Sequence, residues 1–208
     1  MSVQKAYDAW AGQYDTNINK TRDLEAVALR KTLAGISFGN CLEIGCGTGK
    51  NTVWLINKAK HITAIDLSTE MLSKAREKIN NNTVEFIQAD ITTDCSFAKK
   101  EYDLVTFSLV LEHIENLTPI FEKVAQSLKA GGHVYIGELH PFKQYSGSKA
   151  RFDTGEGTQV VACFIHHISD FIQAAKKNGF TLVEADEYFD DNDRSAIPRI
   201  LTILLRKL

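Results

Sequence analysis

The sequence predicts an α/β fold: a doubly wound, mostly parallel seven-stranded sheet that finishes in an antiparallel strand pair. Three observations predict it. Between residues 40 and 139, short apolar runs alternate with segments of helical period, the pattern of parallel strands covered on both faces. The last two apolar runs, FTLVEADEYF and IPRILTILLRK, are joined by an acidic loop, DDNDRSA, with no helix between them, and strands joined directly are most simply antiparallel. The chain has 208 residues, 44% of them hydrophobic, which suits one domain (1–208) with a sizeable core.

Taken in order, residues 3–34 read as helix, with Tyr7, Trp10 and Tyr14 at three- and four-residue steps and a break near Thr16 to Thr21. Residues 1–36 together make an N-terminal helical lid. NCLEIG (40–45) is a strand and GKNTVWLINKA (49–59) a helix. HITAID (61–66) is the second strand; Ser68 then caps a helix that carries Met71 and Leu72 inside and runs to about Asn80. VEFIQ (84–88), YDLVTFS (102–108) and GGHVYIGEL (131–139) are further strands. The helix before the last of these begins near Pro119, and Gly131-Gly132 closes it. Residues 140–167 fit neither period. They read as an insertion beyond a strand's carboxyl end, on the side where open α/β sheets bind ligands. SDFIQAAKKN (169–178) is a helix that stops at Gly179.

Composition sets bounds. No run approaches the roughly 20 apolar residues a membrane helix needs, and the polar start is unlike a signal peptide, so a cytoplasmic protein off the membrane is expected. A formal charge of -2 without a Lys/Arg run argues against a nucleic-acid partner. Cys41, Cys46, Cys95 and Cys163 form no CxxC pair and no Cys/His cluster of zinc spacing, so they read as reduced, mostly buried thiols and no metal is expected. The oligomeric state is left open.

The chemistry concentrates in CLEIGCGTGKNT, residues 41–52. Its glycines, Gly45, Gly47 and Gly49, match neither the GxGxxG of dinucleotide sites nor the GxxxxGK[ST] of phosphate loops. Glu43, two residues ahead of the first glycine, would repel a pyrophosphate and suit a cation. Asp66 ends the second strand 21 residues after Gly45, where such folds keep an acid that accepts hydrogen bonds from a ribose diol. The pattern describes a nucleoside without phosphate that carries positive charge, and S-adenosylmethionine fits it.

E-x-G-x-G-x-G after a strand, an aspartate at the next strand's end and IQADI after the third resemble the class I S-adenosylmethionine-dependent methyltransferases. The resemblance is close over residues 40–139, extends through the terminal strand pair, and includes YDAWAGQYD, which looks like the segment before the core in the small-molecule enzymes. It implies a Rossmann-like methyltransferase fold, S-adenosyl-L-methionine as cofactor and S-adenosyl-L-homocysteine as product. By that resemblance Gly45, Cys46 and Gly47 would border the methionine part, with Glu43 behind the loop near the ammonium. Asp66 would hold the ribose, Leu67 and Met71 would lie against the adenine, Asp90 would accept from its amino group and Ile91 would cover the ring. Ser108 and Leu109 would flank the methyl group, and Tyr14 would close over the cofactor.

Each residue also has a plainer reading. The glycines could make only a tight turn, Asp66 a helix cap, Asp90 a turn, and Tyr7, Trp10 and Tyr14 a core stripe. His140 and then His113 are the candidates for a general base, since both follow carboxyl ends of strands; the competing reading makes each structural or substrate-shaping. His166 and His167 end the insertion, while His61 and His133 begin strands on the far edge. No base is needed for a carboxylate acceptor, whereas a hydroxyl or an ammonium must lose a proton.

The acceptor is narrowed by what is missing. SLVLEH lacks the [DNS]-P-P-[YF] of amino-methylating DNA enzymes, no Pro-Cys dipeptide marks attack on a pyrimidine, and no acidic trio marks a catechol-type magnesium site. A small organic molecule remains, with Phe142, Tyr145, Phe152 and Phe164 of the insertion forming an apolar pocket and Arg151 meeting an acceptor carboxylate. The alternatives are a non-catalytic or partner-dependent S-adenosylmethionine-binding subunit, a methyltransferase acting on RNA or protein, and a nicotinamide-dependent oxidoreductase. The last would have to seat a pyrophosphate beside Glu43.

Overall fold

The computed structural model describes residues 2–94, 101–154 and 157–208; Cys95 lies outside them. Two helices open the chain, α1 (Val3–Trp10) and α2 (Lys20–Thr32), separated by turns where the break was expected. The side chain of Ser2 caps the first and that of Asn19 the second, each accepting a backbone N–H that a helix start leaves without a partner. Five parallel strands follow: β1 (Asn40–Ile44), β2 (His61–Asp66), β3 (Val84–Gln88), β4 (Tyr102–Ser108) and β5 (Leu128–Leu139). Between them lie α3 (Thr52–Leu55), α4 (Thr69–Lys78) and α5 (Leu117–Ser127). Beyond β5 come α6 (Pro141–Tyr145), a hairpin of β6 (Arg151–Thr154) and β7 (Gly157–Val160), α7 (Ile168–Lys177), β8 (Phe180–Tyr188) and β9 (Ile200–Lys207).

The seven-stranded sheet has the order β3-β2-β1-β4-β5-β9-β8. β9 runs antiparallel to both β5 and β8, as the direct connection between the last two strands required. The central strands of the sheet are buried on both faces, while the edge strand β8 is largely exposed. Val105, Phe107 and Ile203 pack with Phe121 of α5 and Phe171 of α7, while Leu104 and Leu204 pack with Leu29 of α2 and Leu72 of α4. The order in which successive strands are added reverses between the parallel neighbours β1 and β4, which opens a crevice at their carboxyl ends.

Two expected boundaries are corrected. Gly131-Gly132 does not close a helix: α5 ends at Ser127, and β5 begins at Leu128 and runs through both glycines. They serve a strand irregularity. The β4–β5 register shifts between Tyr102 and Leu104, Gly131 takes a φ of 76°, and a Cβ on Gly132 would stand 2.9 Å from the Lys129 carbonyl. The helix expected over 49–59 shrinks to the single turn of α3 and continues as turns to Lys58.

The insertion holds structure of its own. Its hairpin packs on α1, with the rings of Phe152 and Trp10 stacked at 5.1 Å and Val161 joining Ala6 and Met71 in a small third core. The α1–α2 segment is also tied to the glycine loop and α4. Asp15 accepts from Thr48 at 2.6 Å and pairs with Lys78 at 2.6 Å, Asp8 accepts from the Ser68 hydroxyl at 2.6 Å, and Asp23 pairs with Lys50.

Candidate functional site

A cavity of about 400 Å³ lies at the carboxyl ends of β1, β2 and β4, beneath α1. Gly45 and Gly47 form its floor. Gly45 follows β1 with φ 72°, and a Cβ there would overlap the Val110 side chain, so only glycine lets the loop approach the end of β4. Gly47, at φ 54°, has nothing within 4 Å of where a Cβ would stand, which leaves its backbone open to a ligand.

Asp66 ends β2 at the cavity wall. Its carboxylate accepts from the backbone N–H of Gly47 (2.8 Å) and of Ser68 (2.8 Å), which fixes the carboxylate beside the loop. Burial pushes its pKa up to about 6 despite those two bonds. Leu67, Met71, Ile91 and Asp90 line the adjoining end, while Ser108, Leu109, Tyr14 and His113 line the other.

Leu109 turns the chain out of β4 in a left-handed conformation, φ 59°, that a branched side chain rarely adopts. Glu138 of β5 holds that turn. Its Oε1 accepts from the N–H of Val110 (3.0 Å) and of Leu111 (2.8 Å). Behind it, Glu25 of α2 accepts from Asn51 (2.9 Å) and from the Tyr135 hydroxyl (3.0 Å), and Asn51 also donates to Ser108 at 3.2 Å. Burial raises Glu25 to about 7 and Glu43 and Glu138 to about 8. Asn51 Oδ1, buried beside Ser108, has no protein partner. Three buried carboxylates and an unpartnered amide oxygen suit a ligand that brings positive charge and N–H donors, with Arg22, 5.0 Å over the Tyr14 ring, as the buried cation nearby.

Three predicted residues stand outside the cavity. Glu43 is buried under the loop, where its Oε2 accepts from Thr52 at 2.6 Å. Cys46 points into the core beneath, and burial pushes its thiol up. His140 caps α6: its Nδ1 accepts from Phe142 N–H (3.2 Å), so Nε2 donates to Glu187 (3.1 Å), and the ring is fully buried. No free nitrogen remains to take a proton from an acceptor, and burial also lowers the His140 pKa. The aromatic residues of the insertion do not line this cavity either; Phe142, Tyr145 and Phe164 are exposed, as is Arg151.

His113 does line it. Its Nδ1 lies 2.8 Å from the Ala162 carbonyl, an acceptor, so that nitrogen carries the proton. Nε2 then presents its lone pair to the Tyr7 hydroxyl, 2.8 Å away. Glu112 Oε1 lies 3.9 Å from the same nitrogen. Glu112, His113 and Cys163 bring three ligand-type atoms within 4.8 Å, but both ring nitrogens are engaged, and the trio reads as a hydrogen-bonded cluster. Sequence reasoning passed over Tyr7, Glu112, Glu25 and Glu138 in this role. Only Glu138 carried a signal, a lone charge in an otherwise apolar strand end.

Comparison with known proteins agrees with this geometry. A family described as "Methyltransferase domain" matches residues 42–136, from β1 through most of β5. A malonyl-[acyl-carrier protein] O-methyltransferase of Acetivibrio thermocellus is 30% identical over 159 residues, covering 72% of this chain; the match spans only 53% of that protein's length. Among solved structures, a DhpI-SAM-HEP complex superposes with a TM-score of 0.76 at 25% identity, covering 97% of this chain and 94% of that one. The N-methyltransferase NodS of Bradyrhizobium japonicum WM9, solved with S-adenosyl-L-homocysteine, superposes with a TM-score of 0.74 at 19% identity, covering 100% and 99%. On the sheet order, the glycine loop and these matches, residues 42–136 form a methyltransferase domain of the class I S-adenosylmethionine-dependent kind, whose cofactor is S-adenosylmethionine.

Proposed function

We propose that the protein transfers the methyl group of S-adenosylmethionine to an oxygen or nitrogen atom of a small organic molecule, as a cytoplasmic enzyme. The observation that carries this reading is the cavity at the β1/β4 crevice, where the buried Asp66 carboxylate stands beside the open backbone of Gly47. Asp66 would accept the ribose hydroxyls, Leu67, Met71 and Ile91 would sandwich the base, and Asp90 would accept from its amino group. Gly45, Gly47 and Ser108 would border the amino-acid end, and Tyr14 would cover it from above. Glu43 and Cys46 would act from beneath the loop, through its shape and field. The relatives' own activities support the class: one is named an O-methyltransferase and the other an N-methyltransferase. No helix among the described residues is long and apolar enough to cross a membrane.

The cofactor supplies an electrophilic methyl on sulfur with a neutral leaving group. The protein's part is to hold the acceptor in line behind that methyl and to keep water out, and positioning of this kind supplies roughly 7–11 kcal/mol in favourable cases. Calorimetry with S-adenosylhomocysteine tests the site. Wild type should bind, Asp66→Ala should lose most of the affinity, and Asp66→Asn, which keeps an acceptor for only one of the two backbone N–H groups and sets an NH2 against the other, should lose affinity as well. A folded wild type that does not bind would overturn the reading.

A further inference from the structure

The reacting end of the cavity is chemically one-sided. Among the described residues that line the cavity there is no lysine or arginine, and the ionisable ones are Tyr7, Tyr14 and His113 at this end and Asp66 and Asp90 towards the other. An acceptor carboxylate or phosphate brought to this end would find no lysine or arginine among those residues to bind and orient it, only the cofactor's own sulfonium. A group that arrives neutral needs no such partner, and an ammonium, repelled by the sulfonium, is eased by giving up its proton. Either must give up a proton.

A path for that proton is built into the wall. Tyr7 lines the cavity, and its phenol is bonded through to His113 Nε2 at 2.8 Å. The imidazole can accept there only because Nδ1 is committed as a donor to the Ala162 carbonyl. The rings of Tyr7 and His113 meet edge to face at 5.4 Å, which holds the pair in register. Glu112, 3.9 Å from Nε2 and itself accepting from Gln144 of α6, faces the nitrogen that would become positive. Cys163 Sγ lies 3.9 Å from Nδ1, and Tyr14 stands on the other side of Tyr7, ring centroids 6.4 Å apart. With Asp66 at the end of β2, whose charge also reaches Tyr7, these are the groups that surround the pair among the described residues.

We propose that the acceptor is a hydroxyl or an amine, and that its proton leaves through the Tyr7 hydroxyl to His113, with Glu112 as the positioning residue that steadies the resulting imidazolium. The proposal rests on the methyltransferase reading above and adds the class of acceptor to it. The acceptor's O–H or N–H bond breaks towards Tyr7 Oη, and the proton Tyr7 already carries passes to His113 Nε2. The acceptor's freed electron pair forms the bond to the methyl carbon, while sulfur keeps the pair of the breaking S–C bond. One positive charge is lost at sulfur and one gained at His113. A general base of this kind contributes typically about 10²–10⁴ in rate.

Two measurements test it on the full chain. Nitrogen-resolved NMR of the imidazoles should show neutral His113 as the Nδ1–H tautomer, with its Nε2 resonance moved in Tyr7→Phe; the Nε2–H tautomer would overturn the relay. Production of S-adenosylhomocysteine is then followed over a panel of phenols, alcohols, primary amines and carboxylic acids. Phenols, alcohols or amines should turn over and acids should not. Tyr7→Phe and His113→Gln should lower kcat about 10²–10⁴-fold with KM and S-adenosylhomocysteine affinity little changed, and Tyr7→Phe should flatten the loss of rate at low pH. Glu112→Gln should move the pH profile more than it moves KM. Turnover of acids alone, or of nothing in the panel, by protein that still binds S-adenosylhomocysteine sinks this inference and leaves the cofactor site standing. Loss of that binding in wild type would instead sink the methyltransferase reading.

Discussion

Gly45 is the residue with least freedom in the site. A Cβ would overlap Val110, and its φ of 72° already disfavours any other residue. Gly45→Ala should push away the turn that carries Leu109 and Val110, costing roughly 1–3 kcal/mol in a urea unfolding curve, and weaken S-adenosylhomocysteine binding by calorimetry. An alanine variant of wild-type stability and affinity would contradict the packing described. That Gly45, Gly47 and Asp66 meet at one cavity was legible because their positions follow from local spacing, a glycine pattern after one strand and an acid at the end of the next. Tyr7 and His113 were not read as a pair, because 106 residues separate them and only the fold of α1 over the sheet joins them. His140 misled for the opposite reason. Its place after a strand end was right, but the direction of its side chain is set by Glu187 on β8, which its local sequence does not record.

At the scale of elements, α5 does more than cover the sheet. Lys123 on its surface donates to the carbonyls of Ile91 (2.7 Å), Thr92 (2.9 Å) and Asp94 (3.4 Å), drawing the loop after β3 into shape. Since hydrogen bonds from a charged donor are worth about 1.5–3 kcal/mol, Lys123→Met should loosen Asp90 and Ile91. Affinity for S-adenosylhomocysteine should fall several-fold while the variant stays folded; unchanged affinity would mean that the loop keeps its shape without the clamp. The elements themselves were mostly legible, since a doubly buried strand and an amphipathic helix announce themselves by period. Glycine pairs announce only that backbone must bend. Gly131-Gly132 bends a strand, not a helix end, because the partner that decides is Tyr102 of β4, opposite Leu128 in the register. Within residues 140–167 the helix and strands are of five and four residues, too short for any period to show.

Across the whole molecule, buried acids dominate the response to pH. Glu43 and Glu138 titrate near 8, Glu25 near 7 and Asp66 near 6, all raised by burial above their ordinary range. Between about pH 4.5 and 8 the folded chain therefore holds more protons than the unfolded one, and stability falls as pH rises through that window. The ion-paired carboxyls of Asp103 and Asp190 lie below their ordinary range and act in the other sense, losing their contribution only in stronger acid. Calorimetric melting should thus occur at a higher temperature near pH 5.5 than near pH 8. Glu138→Gln, which can still accept from Val110 and Leu111, should narrow the difference. Melting that is flat or rises over this range would show that the acids are relieved in the folded protein by contacts other than those described.

The ties of the first two helices to the glycine loop and α4 have a different consequence. Asp15 with Lys78 and Asp23 with Lys50 are surface pairs of opposite charge, and dissolved ions weaken such attractions. The sheet and the Asp66 cradle beneath are joined by buried contacts that dissolved ions scarcely reach. Salinity therefore reaches only the outer fastenings of the roof, leaving the Ala6, Trp10 and Met71 core in place, while acidity reaches the floor.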